Sequence, residues 1–295
     1  MAGAEGLYSH LETGTTTVCH AWEISRKDGV WIGFTDHDSD LIFGGKTYKA
    51  NSGLTARALQ QTTGLSVDNT EAIGALSDLV ITEADILAGR FDGADLTGWQ
   101  VNWAKPEDRA VTFRGTIGEI MRAGGAFQAE LRGLTEALNQ PQGRAFQRSC
   151  PAILGDAHCG LNLNQPGFSV ELAVESITEN RVLAFADLGE FDDRWFENGR
   201  LIVLSGAGKG VVGIIKNDRI STASRKVELW QDLGARLAVG DMVRLEAGCD
   251  KRAKTCRFKF NNFLNFRGFP DIPGEDWLTS YPVSSKVNDG GSLVR

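Results

Sequence analysis

Four of the five cysteines in this 295-residue chain fall into two close pairs, Cys150 with Cys159 and Cys249 with Cys256, on either side of a stretch dense in strand patterns. Eight residues separate the first pair and six the second, and 89 residues lie between Cys159 and Cys249. If that stretch folds as a β-barrel whose ends meet, all four thiols arrive at one point. Converging thiols allow three chemistries. Disulfides are the least favoured, because residues 1–12 hold no basic stretch followed by an apolar run and the chain reads as made in a cytoplasm. Structural zinc uses cysteine knuckles spaced by about two to four residues, which neither pair has, although His158 beside Cys159 offers a substitute ligand. An iron–sulfur cluster takes four thiolates and tolerates irregular loops. Cys150-Pro151 suits it, since proline stiffens a ligand loop. Arg148, Lys251, Arg252, Lys254 and Arg257 would offset a thiolate-bound cluster, or form an ordinary solvated face. From the residues alone, cluster and zinc stand level. Cys19, inside a predicted strand, reads as a small buried hydrophobe.

The chain around the cysteines reads as short strands and tight turns, in keeping with its 35 glycines. Alternating patterns at 18–23 and 30–34 flank an Asp28-Gly29 turn, which predicts a hairpin. A third run, 46–50, follows Gly44-Gly45, and 111–120 with 127–131 flank Gly124-Gly125 as a second hairpin. Thr82, three residues before Asp85, predicts a helix start, with Gly89 placed to end it. A further short helix is expected at 135–139, before Pro141. From 144 to 166 the pattern fails and an irregular joint is expected. Six strand-like runs follow, at 170–174, 181–185, 201–204, 210–215, 226–230 and 242–245, and argue for a compact barrel or sandwich. The expected fold is mainly β, with two or more small β-barrel or sandwich domains and few short helices. A β-rich domain would cover 1–143, a cysteine-bearing joint and tail 144–167 and 248–295, and an inserted β-barrel 168–247.

The 31 basic and 38 acidic residues leave a net charge of −7, which argues against a free nucleic-acid binder. No run approaches the roughly 20 apolar residues that span a bilayer. Thr35-Asp36-His37-Asp38 sets a histidine between carboxylates, a grouping that hydrolases use. On an extended chain the aspartates would share one side and His37 the other, so a hydrogen-bonded turn is the plainer reading. Ser205-Gly206-Ala207-Gly208-Lys209-Gly210 is not a phosphate loop, because Gly210 stands where Ser or Thr must reach magnesium. No catalytic residues are predicted.

Several longer motifs carry a family resemblance. These are Gly33-Phe34-Thr35-Asp36-His37-Asp38 with Leu41 and Tyr48, Gly64-Leu65-Ser66-Val67-Asp68-Asn69, Ile81-Thr82-Glu83-Ala84-Asp85-Ile86, Val101-Asn102-Trp103 and Gly133-Leu134-Thr135. Cys150-Pro151-Ala152 with Leu154-Gly155-Asp156 and Cys159, and the run from Asn261 to Pro270 followed by Ile272-Pro273-Gly274, continue it. Together they resemble the baseplate hub family of tailed phages and gene transfer agents. The resemblance implies a structural, non-enzymatic hub that forms a threefold ring at the end of a tail tube. Its expected partners are further copies of itself, a distal tail protein, tip or fibre (megatron-like) proteins and a tail peptidase. DNA would meet it only in passage through the lumen, which a net acidic ring suits. No membrane insertion is expected. The implied place is the baseplate of a phage-like particle assembled in a bacterial cytoplasm.

Related tail-tip families carry a [4Fe-4S] cluster on four cysteines with similar short spacings. The resemblance therefore implies [4Fe-4S] on Cys150, Cys159, Cys249 and Cys256, with zinc as the alternative. The insert between the pairs is longer here. Such a cluster would staple the joint and contribute folding energy. Of the tail aromatics, Phe263, Phe266, Phe269 and Trp277 are expected on the chain's own barrel rather than on a neighbour. Two other readings remain: a tail-associated cell-wall hydrolase using Asp36, His37 and Asp38, and a zinc-stapled adaptor in the same position.

Overall fold

A computed structural model describes residues 2–50, 55–56, 69–75, 81–123, 126–134, 143, 145–186, 188–221, 224–272 and 284. The chain is mainly β with few short helices, and it divides into two compact units, Met1–Pro141 and Gln142–Arg295.

The first unit opens with helix α1 (Ala2–Leu11), which the sequence pattern misses because two glycines weaken it. They are there for close approach: a Cβ on Gly3 would lie 2.5 Å from the Glu107 carbonyl, and one on Gly6 would meet the Asp108 carboxylate. Strands β1 (Val18–Ser25) and β2 (Trp31–Thr35) form the predicted hairpin, with Gly29 at φ 86° in its turn. Strands β3 (Leu41–Phe43) and β4 (Lys46–Tyr48) pair across Gly44 and Gly45, both at positive φ. After β5 (Thr55–Ala56) and β6 (Asn69–Ala75) comes helix α2 (Glu83–Leu87). Thr82 caps α2, its side chain accepting from the Asp85 N–H. Strands β7 (Asp95–Asn102), β8 (Arg109–Ala123) and β9 (Ala126–Gly133) complete an antiparallel sheet in the order β2-β1-β7-β8-β9-β6-β5.

Because side chains alternate along a strand, β1 serves two cores. Ile24 joins Phe34, Ile86, Phe91 and Leu96 on one face, while Cys19 and Ala21 join Phe43, Tyr48 and Val101 on the other. The helix expected at 135–139 lies outside the described residues, as do Gly124 and Gly125.

The second unit contains no helix or strand among its described residues before β10 (Ser169–Ala173). Then follow β11 (Ser176–Thr178), β12 (Val182–Ala186), β13 (Arg200–Val203), β14 (Val212–Ser221), β15 (Ser224–Leu229) and β16 (Met242–Glu246). The sheet order is β10-β16-β13-β14-β15-β12-β11. Its two edges belong to one bent strand. Val174 exchanges backbone hydrogen bonds with residues 240–241 beside β16, whereas the Glu175 N–H donates to Ala184 in β12. The sheet therefore curls round a single core, in which Leu183, Phe185, Phe196, Leu201, Ile215, Val227, Leu229, Val243 and Leu245 are fully buried. The glycine-rich 205–210 segment is a turn between β13 and β14, with Gly206 and Gly210 at positive φ. Helix α3 (Ala253–Phe258) and a 3-10 turn at Phe263–Asn265 follow the last strand.

Candidate metal centre

The curled sheet fixes where the two cysteine loops leave it. Ser169 at the start of β10 pairs with Glu246 at the end of β16, and the Ala247 N–H donates to the Phe168 carbonyl at 2.8 Å. The segments before and after the sheet therefore emerge side by side. Gly248 makes the exit possible, since a Cβ there would sit 1.7 Å from the Glu197 carbonyl oxygen.

The loops are tied together by hydrogen bonds of the chain itself. The Cys150 N–H donates to the Lys251 carbonyl at 2.9 Å, and Lys251 Nζ reaches back to the Ala152 carbonyl at 2.5 Å. Asp156 turns the first loop: its carboxylate accepts from the N–H groups of Ile153, His158 and Cys159, the last at 2.6 Å. The Cys159 N–H, with those of Ile153 and His158, holds the Asp156 carboxyl below its ordinary range against the opposing effect of burial. In the second loop, α3 turns Cys256 inward, and the Cys256 thiol donates to the Asn262 carbonyl at 3.3 Å.

All four predicted cysteines line one small cavity, together with Lys251, Arg252, Phe260, Asn262 and Phe266. All four sulfurs are free of disulfides. Burial, and after it the sulfurs of Cys249, Cys159 and Cys150, push the Cys256 thiol up to about 11. Burial also raises Cys249, against the Lys251 N–H and charge. Four thiolates crowded round one cavity repel one another, so they need a cation between them to ionise together. Lys259 lies behind Cys249; its ammonium donates to the carbonyls of Trp195 and Gly248, and burial lowers it to about 8. Among the described residues, no three His, Cys, Asp or Glu side chains stand close enough to grip a single metal ion.

Sequence reasoning gave the four cysteines a role as ligands, but it placed Asp156 and Asn262 only in family motifs and passed over Lys259; all three shape the loops around the thiols. The tail aromatics pack within the unit: Phe263 stacks on Phe266 and lies under Arg257, and Phe269 meets Phe146. Trp277 lies outside the described residues.

The residues of the hydrolase reading are not brought together. Asp36 turns to His20, accepting from its backbone N–H and facing Nδ1 at 3.1 Å, which raises the His20 imidazole against burial. His37 folds into a turn, with its N–H on Thr35 Oγ1 and its ring against Ser39 and Trp103. Asp38 joins neither contact.

The family described as baseplate hub protein, N-terminal attachment domain, matches residues 4–162, more than half of the chain. This chain belongs to the baseplate hub family. The family resemblance of its motifs is thereby established. In this hub chain the match reaches through the first cysteine loop. A phage conserved hypothetical protein family matches residues 194–276, which carry the second. A solved chain from the virion of a native gene transfer agent particle is 57% identical over 98% of this chain and 99% of its own, with a TM-score of 0.88. No curated protein matches the hub chain. Among its described residues, no helix is long and apolar enough to cross a membrane.

Proposed function

We propose that this hub chain is a structural, non-enzymatic part of the baseplate of a gene-transfer-agent-like tail. The near full-length likeness to a virion chain carries that reading. In it, copies of the chain form a threefold ring that joins the distal tail protein to tip and fibre proteins, with a tail peptidase nearby and DNA passing through the lumen. The particle is assembled in the bacterial cytoplasm. Within the second unit, 168–247 is the inserted barrel, and the cysteine-bearing segments before and after it are its joint.

The reading extends to a [4Fe-4S] cluster on Cys150, Cys159, Cys249 and Cys256. The donor set supports it, as four thiols round one cavity are the full ligand complement of such a cluster. Bound there, the cluster would supply a covalent cross-link between the segments before and after the barrel.

Anaerobic purification with iron, acid-labile sulfide and visible absorption measurements tests this, alongside the mass of the assembled particle. The expected result is about four irons and four sulfides per chain, lost in Cys150→Ser, and a trimer. One zinc without sulfide would replace the cluster by the zinc-stapled adaptor. A strict monomer, with and without tail partners, would overturn the ring.

A further inference from the structure

Asn262 stands where the two cysteine loops meet, and each of its polar groups is engaged. Its Nδ2 donates to the Cys159 carbonyl at 2.7 Å and points an N–H at Cys159 Sγ at 3.6 Å. Its Oδ1 accepts from Asn265 Nδ2 at 2.8 Å. Its backbone N–H donates to the Cys256 carbonyl at 3.0 Å, and its own carbonyl accepts the Cys256 thiol. The amide orientation is fixed twice, by a carbonyl that can only accept and by a donor that needs Oδ1. Asn261, at φ 47°, makes the turn that delivers it, a conformation that asparagine tolerates. One residue thus links a cysteine from before the barrel, through its side chain, to one from after it, through its backbone, and both cysteines line the same cavity.

We propose that Asn262 is the positioning residue of the thiol site: it latches the Cys159 loop onto α3 and points an N–H donor at the Cys159 sulfur. This rests on the reading of the four cysteines as cluster ligands. Outer groups that orient metal ligands typically change affinity by about 10–100-fold when removed. Hydrogen bonds to ligand sulfurs also stabilise the more negative, reduced state and so raise the reduction potential of a cluster. Asn262 serves both roles through a single amide.

The test compares the full-length wild type with Asn262→Ala and Asn262→Asp after anaerobic loading with ferrous iron and sulfide. Asn262→Asp keeps the size, the backbone hydrogen bonds and the acceptor for Asn265, so it covers the case in which the alanine variant does not fold. Iron retention against a competing chelator and the one-electron midpoint potential are measured. Both variants are expected to hold iron about 10–100-fold less tightly, at a lower potential, with the barrel's thermal transition unmoved. Asn164→Ala, outside the thiol cavity, is expected to match wild type. Variants that load, retain iron and poise as wild type does would overturn the role of Asn262 while leaving the cluster reading in place. A wild type that takes up no iron and sulfide would overturn both.

Discussion

The curled sheet and the cysteine joint beside it are built on opposite plans. In the sheet, a single apolar core seals even a charged pair: Asp218 and Arg225 are completely buried, with Arg225 Nε and Nη2 on the two carboxylate oxygens at 2.7 and 2.8 Å. Asp218 also accepts the Phe196 N–H, and Arg225 also donates to the carbonyls of Phe191 and Asp192. In the joint there is almost no regular structure. Its shape comes from single hydrogen bonds among turns, and its thiols carry few of them. Packing buries the apolar side chains of the sheet in one core, whereas the joint keeps four sulfurs round a cavity. One region specifies shape; the other, held in place by it, is free to bind.

The sharpest way to break this contrast is Asp218→Ala, which leaves Arg225 charged in a dry core. It is expected to cost about 3–5 kcal/mol, read by denaturant unfolding of the full chain. A loss below about 1 kcal/mol would mean that water reaches the pair and the core is not sealed. Next in size is Gly248→Ala, at the seam between the two regions. The added Cβ would collide with backbone, which cannot swing aside, so a cost of about 1–3 kcal/mol is expected. That variant is also expected to retain less iron, since the collision displaces the segment leading to Cys249.

A smaller, local effect is expected of Asp156→Ala. Amide exchange at Ile153, His158 and Cys159 should quicken while the sheet's amides remain protected. Quickening across the sheet would show that joint and barrel unfold as one.

The smallest effect is a pH dependence on the sheet's outer wall. Lys216, Asn217 and Arg181 together hold Glu228 down to about 2, from an ordinary 4.5. A depressed carboxyl stabilises the fold above its unfolded value and loses that contribution as pH falls through its folded one. The melting temperature of wild type should therefore lose this small increment between pH about 4.5 and about 2, and Glu228→Gln should lack that part of the slope.

Where local chemistry decides structure, the sequence is readable. Gly29, Gly44 and Gly45 mark turns that only positive φ allows, and Thr82 marks a helix start through its own hydroxyl. The convergence of the cysteines is readable too, because it follows from a sheet whose ends meet. Strand β7 is not, although it lies inside its sheet and pairs on both sides, with β1 and β8. Its Thr97, Trp99 and Val101 favour a strand, but Gly98 and the register shift beside it break the pattern, and the neighbouring strands impose the conformation. Helix α3 has six residues and no side-chain cap, too little for periodicity to register. The bend at 174–175 separates β11 from β10 without any turn residue to announce it. Asn262 escapes for another reason: an asparagine in an Asn-rich stretch looks like solvent-facing loop until the backbone on both sides of it is placed.

The bent strand has a mechanical consequence. Its first residue and the last residue of β16 are neighbours, so tension on the chain from outside the sheet would pull β10 and β16 apart end-on. The pairs would open one after another, like a zip, from the Phe168–Ala247 hydrogen bond inward. Such a sheet resists pulling poorly, however well its core is packed. The cysteine joint lies immediately outside that weak edge, and any bond across it carries the force past the sheet.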